Sequence, residues 1–273
     1  MQTIHLFTYT LHLADNAMIL AQRNSEWCGH GPVLEQDIAI TNISLDLLGQ
    51  AKNFYEYAAK LYNELPAVEK EKADLYVPRL WKSFNRELNE DDLAFLRDEH
   101  QYLNILLVEL PKGDWAVTIL RQFFFSAYQY LLYTHLRESK DEQLAAIAEK
   151  SLKEVTYHLR WSSEWVVRLG DGTVESNNRI NQALNDLWPF TGELFIAAGY
   201  EKAVAENETG VDVSIHQNRW LQRVSTVFEE ATLKTPAVDW MQSGGKQGSH
   251  TEHFGFMLSE MQYLQKTYPN LTW

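Results

Sequence analysis

The residues of greatest chemical interest are a glutamate and a histidine at two of the six positions where a di-iron helix bundle would hold its ligands. Such a bundle takes one carboxylate from each of two helices and a Glu-x-x-His pair from each of the other two. The six candidate positions hold Glu26, Leu47, Gln50, Ser126, Val155 and His158. Iron in such sites is balanced by several carboxylates, and most are missing here. The pattern therefore predicts a degenerate site that cannot hold two irons.

The two remaining ligand-type residues also have ordinary structural interpretations. Glu26 stands near the end of the first long predicted helix, as a surface or capping residue or as a remnant ligand that points inward. His158 shares a helix face with Glu154, four residues earlier, and can be a hydrogen-bonded core histidine instead of a ligand. Asp46 precedes Leu47 by one residue, which rotates it by about 100° on a helix, so it cannot simply replace a ligand there.

Three other groups could do chemistry, but their patterns are weaker. His250 and His253 have ligand-like spacing without a third ligand, which favours a role at a helix start. The glycine-rich stretch 243–249 lacks the preceding strand and the spacing of a phosphate-binding loop, so it predicts a tight turn that can lie at an interface. Cys28 lies near His30, which leaves a reactive thiol as a remaining alternative.

Helices must position these residues, because no alternating strands or hairpin dipeptides are evident. We predict helices over about 11–27, 34–62, 91–110, 115–139, 141–169, 174–188, 214–231 and 251–267. The polar segment 63–90 contains two prolines and predicts an irregular connection with a short helix. Apolar residues on most sides of 115–139 predict that this helix is central. Many helices joined by short breaks predict one all-α domain over 1–273.

Composition and charge exclude several classes of function. The chain has 273 residues, of which 45% are hydrophobic and 12% aromatic, as expected of a folded globular protein. Its formal net charge of −13, without a cluster of Lys or Arg, argues against nucleic acid or a membrane surface as partner and favours a basic protein surface. Without a signal-peptide pattern or a long apolar run, and with the single cysteine Cys28, the chain is predicted to be cytoplasmic.

Four long stretches carry a resemblance to a known family: SEWCGHGPVLEQDIAITNISLDLLGQAKNF, RDEHQYLNILLVELPKGDWAVTILRQFF, KEVTYHLRW and GGKQGSHTEHFGFMLSEMQYLQ. They resemble the C, or structural, subunit of bacterial phenylacetyl-CoA ring epoxidases, and the resemblance extends to Trp273. It implies a ferritin-like four-helix bundle with additional flanking helices. It also implies that this chain holds no cofactor and forms a heteromer with a homologous A subunit that carries the two irons.

The resemblance further implies a reaction for the whole complex. The epoxidase converts the aromatic ring of phenylacetyl-CoA to an epoxide with molecular oxygen, in aerobic phenylacetate catabolism. A separate flavin and iron–sulfur reductase subunit supplies electrons from NADPH. Segment 63–90 is longer than the connection expected from the family, so surface contacts are not transferred there.

The leading hypothesis is therefore a non-catalytic structural subunit. In it, Glu26, Gln50 and His158 would form a buried hydrogen-bonded network in place of metal. One alternative is an active di-iron oxygenase whose atypical site is completed by Asp46, Glu154 or another acid. A second alternative is a helical adaptor for an unrelated partner.

The C-terminal glycines and histidines have no other evident use, so we expect them at a partner interface. The predicted interface residues are Gly244, Gly245, Lys246, His250, Glu252 and His253.

Overall fold

The computed structural model describes residues 3–238 and 240–271, and their regular secondary structure is helical. The α-helices of these residues are α1 (Ile4–Ser25), α2 (Leu34–Glu64), α3 (Ala67–Ala73), α4 (Glu90–Phe95), α5 (Leu106–Glu109), α6 (Trp115–Leu136), α7 (Glu142–Gly170), α8 (Val174–Leu187), α9 (Gly199–Glu206), α10 (Gln217–Glu230), α11 (Glu252–Met261) and α12 (Tyr263–Thr267). Short 3-10 turns lie at Asp74–Tyr76, Leu80–Ser83, Glu99–Gln101, Trp188–Phe190, Gly192–Phe195, Val213–His216 and Gly245–Gln247.

The four longest helices, α1, α2, α6 and α7, form the central bundle. Each of the pairs α1–α2 and α6–α7 is a helical hairpin closed by a short connection, and α2 packs along α7. Asp114 and Asp141 cap α6 and α7 by accepting hydrogen bonds from backbone N–H groups in the first turn. The predicted all-α, ferritin-like bundle with flanking helices is confirmed.

Helix α6 is central, as its aromatic composition predicted. Phe123, Phe124 and Phe125 are all buried, although they lie on different sides of the helix. The ring of Phe124 packs within 5.8 Å of Trp188 and 5.6 Å of Trp220, which lie outside the four-helix bundle. The outer helices α8 and α10 therefore complete the core on the side of α6.

The helix predicted over 91–110 is wrong. Only α4 and α5 are α-helical there. Residues 102–105 are not helical, and Tyr102 and Ile105 have extended backbone conformations. Side chains of α1 bind this non-helical backbone: Leu103 N–H donates to Asp15 at 2.8 Å, and Ile105 N–H donates to Asn16 at 2.9 Å. His12 donates from Nδ1 to the Leu103 carbonyl at 2.7 Å. These tertiary bonds satisfy the polar backbone in place of a helix, which a local apolar pattern cannot reveal.

The remaining predicted elements agree with the structure except at their ends. Segment 63–90 is an irregular connection with the short helix α3, as expected. Helix α1 begins at Ile4, before the predicted start, and the last predicted helix is divided at Gln262 into α11 and α12. Within the described ranges, no helix has the length and apolarity required to cross a membrane. The prediction of one domain over 1–273 includes residues outside these ranges and stays a prediction.

Candidate functional site

Five of the six predicted ligand positions are buried in the bundle. These positions are Leu47, Gln50, Ser126, Val155 and His158, whose exposed fractions are at most 1%. Glu26 is the exception, because it is an exposed residue at the C-cap of α1. The structure therefore brings together only part of the predicted set.

Glu26 is a surface residue at the end of α1 and does not point into the bundle as a remnant ligand would. Its carboxylate accepts a hydrogen bond from Nη1 of Arg23 at 2.9 Å. Since α1 ends at Ser25, Glu26 lies beyond the last helical residue and outside the bundle interior. The predicted network that would join Glu26 to Gln50 and His158 is wrong.

The α1 residue that faces α6 inside the bundle is Asn24. Its Nδ2 donates to Oε1 of Gln122 at 2.7 Å, and Nε2 of Gln122 donates to Ser126 Oγ at 2.8 Å. Asn24 and Glu26 are two residues apart, which corresponds to a rotation of about 200° on a helix. The predicted α6 position, Ser126, is therefore part of a neutral amide and hydroxyl network whose α1 member was missed.

Two polar pairs join α2 to α7, and we call these four residues the α2–α7 seam: Asp46, Gln50, Glu154 and His158. Nε2 of Gln50 donates to Glu154 at 2.9 Å, and Nε2 of His158 donates to Asp46 at 3.0 Å. Asp46 and Gln50 are one helical turn apart, as are Glu154 and His158. The antiparallel helices therefore match the two pairs in reverse order. Sequence reasoning placed Glu154 and His158 on one face but missed the partner role of Asp46.

The electrostatic environment differs between the two ends of the α2–α7 seam. Burial raises the pKa of Glu154, and the nearby charge of Asp46 raises it further, whereas the hydrogen bond from Gln50 opposes the shift. The side chain of His158 is fully buried, but that of Asp46 is 37% exposed. In the seam, the half-buried carboxylate of Glu154 therefore pairs with an amide, and the partly exposed carboxylate of Asp46 pairs with an imidazole.

The donor set of these positions does not fit a di-iron centre. Leu47 and Val155 supply no ligand atom, and Asp46 and Glu154 are each engaged by a neighbouring donor. In residues 3–238 and 240–271, no group of three or more His, Cys, Asp or Glu side chains is placed to hold a metal ion. In the described residues, no cluster of ligands therefore supports the alternative of an oxygenase whose atypical site is completed by Asp46 or Glu154.

A cluster of tryptophans closes the end of the bundle where α1 and α7 end. Trp115 makes edge-to-face contacts with Trp27, Trp161 and Trp165, with ring centroids 5.1 to 6.0 Å apart. Oε1 of Gln36 accepts hydrogen bonds from Trp161 at 3.1 Å and Trp165 at 2.8 Å. The unusual number of tryptophans was the only sequence signal for this packing.

The glycine-rich segment is buried against its own chain. Lys246 is 1% exposed, and its ammonium group donates to Glu201 at 2.9 Å. Glu193 accepts from the backbone N–H groups of Gly244 at 2.8 Å and Leu106 at 2.7 Å. A Cβ on Gly245 would collide with the carbonyl oxygen of Asn104. The tight-turn interpretation is therefore correct, and the segment has an internal use that the interface prediction did not foresee.

His250 also has an internal role. Its Nδ1 donates to Glu109 at 2.7 Å and its Nε2 lies 3.0 Å from the carbonyl oxygen of Tyr102. Burial opposes the charged imidazole, but the bonds to Glu109 and Tyr102 outweigh it and raise the pKa of His250. Glu252 and His253, in contrast, have side chains that are 86% and 43% exposed. Of the predicted interface residues, these two have the side chains most accessible to a partner.

Cys28 does not have the surroundings of an activated nucleophile. Its Sγ lies 3.3 Å from the hydroxyl of Thr41, and the residue is exposed. Nδ1 of His30 donates to the backbone carbonyl of Cys28 and is not the partner of its thiol.

Comparisons with known proteins identify the family of this helical bundle. A family model described as "Phenylacetic acid catabolic protein" matches residues 1–273. A curated relative, the C subunit of 1,2-phenylacetyl-CoA epoxidase from Escherichia coli (strain K12), is 47% identical over 268 residues, which cover 98% of this chain and 99% of the relative. The resemblance predicted from the four sequence stretches is confirmed. This helical bundle belongs to the phenylacetic acid catabolic protein family.

Proposed function

We propose that this chain is the non-catalytic structural subunit of a phenylacetyl-CoA epoxidase in aerobic phenylacetate catabolism. The observation that carries the proposal is the substitution of buried ligand positions by Leu47 and Val155, in a chain that is 47% identical to the C subunit of such an epoxidase. A separate, homologous A subunit would hold the two irons and perform the oxidation. A reductase subunit would deliver electrons from NADPH, and the complex would be cytoplasmic.

The contribution of this chain would be to hold the catalytic helices in a fixed orientation. The bundle supports such a role because hydrogen bonds and aromatic contacts join its helices, as metal ligands join the helices of an iron-bearing bundle. The α2–α7 seam ties α2 to α7, and the Asn24–Gln122–Ser126 network ties α1 to α6. Hydrogen bonds between buried polar groups on neighbouring helices restrict how these helices can move against each other.

The exposed face around the start of α11 is the part of the predicted interface that we retain. Glu252 is exposed there, the side chain of His253 is 43% exposed, and Phe256, one turn after Glu252, is 78% exposed. Aromatic side chains are enriched at protein interfaces, and an exposed phenylalanine gains free energy when a partner covers it. We therefore expect Phe256 to contact the catalytic subunit.

The metal content of the purified chain tests the proposed function. The chain is expressed with ample iron, alone and together with its candidate catalytic subunit, and iron is quantified in both preparations. We expect iron only in the co-purified complex, and epoxidation only when both subunits are present. About two irons per isolated chain, the load of an intact di-iron bundle, would overturn the proposal.

A matched pair of variants tests the interface. Phe256→Ala should weaken co-purification with the catalytic subunit. Val174→Ala should not, although it also removes a highly exposed apolar side chain, because Val174 lies on a different helix, α8. If both variants co-purify equally well with the catalytic subunit, Phe256 is not part of the interface. The result of the iron test does not depend on this outcome.

A further inference from the structure

Arg121 of α6 is a buried cation that its own chain bonds only in part. The residue is 0% exposed. Its Nη1 donates hydrogen bonds to the backbone carbonyl oxygens of Leu110 at 2.6 Å and Pro111 at 2.9 Å. Its Nε and Nη2 are closed off from solvent and have no hydrogen-bond partner among the described residues. Since Nη1 uses two of the five N–H groups of the guanidinium, three remain unpaired.

The positive charge of Arg121 is also unbalanced. In residues 3–238 and 240–271, no carboxylate forms an ion pair with it. The carboxylate of Glu26 influences Arg121, but it accepts a hydrogen bond from Arg23 at 2.9 Å, and its side chain is 37% exposed. Buried charges in proteins are normally paired, because an isolated charge loses its hydration without a replacement. Within the described chain, Arg121 lacks such a counter-ion.

Loss of a proton does not remove this charge at neutral pH. Burial, and after it the positive charge of Arg23, lower the pKa of Arg121 to about 9, whereas Glu26 opposes the shift. A group with this pKa is still protonated at about pH 7. Arg23 donates from Nε to the carbonyl oxygen of Glu109 at 2.8 Å, so both guanidinium groups lie at the end of α5. These two cations and one partly exposed carboxylate leave a local excess of positive charge, although the whole chain has a net charge of −13.

The unpaired nitrogens of Arg121 have the geometry that a carboxylate requires. Nε and Nη2 lie on one edge of the planar guanidinium group and direct their N–H groups to the same side. Such an edge binds the two oxygen atoms of a carboxylate through parallel, charge-assisted hydrogen bonds. A water molecule would accept from one of these groups but would leave the charge unbalanced.

We propose that Arg121 forms a buried site for a small carboxylate or a comparable oxyanion, of the size of formate, acetate or bicarbonate. The anion supplies the hydrogen-bond acceptors and the negative charge that Arg121 lacks within the chain. It also joins three elements, because Arg121 belongs to α6, Arg23 belongs to α1, and both bind the backbone at the end of α5. Arg23 donates further to the carbonyl oxygen of His253 at 3.2 Å, so the site adjoins the start of α11. The site belongs to the isolated chain and does not depend on the proposed function.

Thermal unfolding of the full chain tests the site. The midpoint temperature is measured in sodium formate, sodium acetate and sodium gluconate at equal ionic strength and neutral pH. Gluconate has the same charged group but carries a long hydroxylated chain, which a buried site excludes. An anion that binds only the folded chain raises the midpoint temperature. We expect the midpoint to be higher in formate than in gluconate by about 2 °C or more.

Three variants assign the effect to one side chain. Arg121→Met should abolish the difference between formate and gluconate, because it removes the charge and leaves an unbranched apolar side chain. Arg121→Lys keeps a positive charge but not the edge with two nitrogens, so it should reduce the difference. The matched control is Arg160→Gln, which removes an exposed arginine from α7 and should retain the full difference.

A crystallographic measurement on the wild-type chain requires no variant. Crystals are soaked in sodium bromide, because anomalous X-ray scattering identifies bromide directly and distinguishes it from water. We expect a bromide ion beside Nε and Nη2 of Arg121, and a weaker bromide signal there when formate is added to the soak.

Three results would contradict the site. The first is an equal midpoint temperature in formate and gluconate. The second is a formate effect in Arg121→Met as large as in the wild type, which would assign it to a general effect of the salt. The third is a water molecule without bromide beside Arg121 in the soaked crystals, since the cation would then be hydrated and not paired. Iron content and co-purification play no part in these measurements, so a failure of the proposed function is distinguishable from a failure of the site.

Discussion

The carboxamide of Gln50 donates a hydrogen bond to the carboxylate of Glu154 at 2.9 Å, across the two helices that would supply both Glu-x-x-His pairs of a di-iron bundle. One turn away, His158 meets Asp46 at 3.0 Å. Polar groups that face each other on these helices therefore pair directly. The stability of the bundle should depend on these pairs.

Removing the amide from this contact should destabilise the protein. In Gln50→Leu, the half-buried carboxylate of Glu154 loses its donor, and we expect the free energy of unfolding at neutral pH to fall by about 1–3 kcal/mol. Urea unfolding of the wild type and the variant measures the difference. Gln143→Leu is the control, because Gln143 is an exposed glutamine on α7, the helix that carries Glu154.

The same variant should change the pH dependence of stability. Burial holds the pKa of Glu154 above its ordinary value, so the folded state keeps this proton more tightly than the unfolded chain. Its ionisation therefore lowers stability as the pH rises through the interval between the two pKa values. Because Gln50 lowers this pKa, Gln50→Leu should cost more stability at about pH 7 than at about pH 5. A loss that is equal at both pH values would contradict the proposed pairing.

An acid introduced at the predicted ligand position Leu47 should destabilise the protein. Leu47 is fully buried, so the carboxylate of Leu47→Glu would be desolvated without a partner, at a cost of about 3–5 kcal/mol. Leu47→Met keeps the apolar volume and should cost less than about 1.5 kcal/mol. Both are measured by urea unfolding with and without ferrous iron. Recovery of Leu47→Glu stability on addition of iron would show that the bundle still has a metal-binding cavity.

Two glycines should respond to alanine in opposite ways. Gly245 packs so closely on the Asn104 carbonyl that Gly245→Ala must displace the C-terminal segment, with a loss of about 1–3 kcal/mol. Gly49 lies exposed within α2 with no atom near its missing Cβ, so Gly49→Ala should stabilise the protein by about 0.5–1 kcal/mol. Hydrogen exchange across 244–254 locates the effect. Unchanged protection there in Gly245→Ala would mean that the segment is not held by this contact.

His250 should make stability decrease as the pH rises above neutrality. Its pKa is higher in the folded protein than its ordinary value of 6.5, because the bonds to Glu109 and Tyr102 outweigh the effect of burial. The stabilisation is complete below the unfolded pKa and is lost as the pH rises through the folded pKa. His250→Gln should remove this part of the pH profile, measured as the free energy of unfolding between about pH 6 and pH 9. His253→Gln, at an exposed position three residues later, should retain it.

The sequence by itself determined the fold class, the long helices and the aliphatic residues at two predicted ligand positions. Helices α2, α6, α7 and α8 follow their apolar patterns, because the buried face of each helix repeats with the helical period. The absence of ligand atoms at Leu47 and Val155 needs no coordinates, since an aliphatic side chain cannot bind iron in any conformation.

Tertiary structure decided which polar residues meet and which local patterns are overridden. Asp15 and Asn16 of α1 accept hydrogen bonds from the backbone of Leu103 and Ile105 in a non-helical segment, where the local pattern predicted a helix. Asn24, and not Glu26, faces α6, because the end of α1 fixes which side chain points inward. Each of these outcomes depends on contacts between residues far apart in sequence, and a single sequence carries no record of such distances.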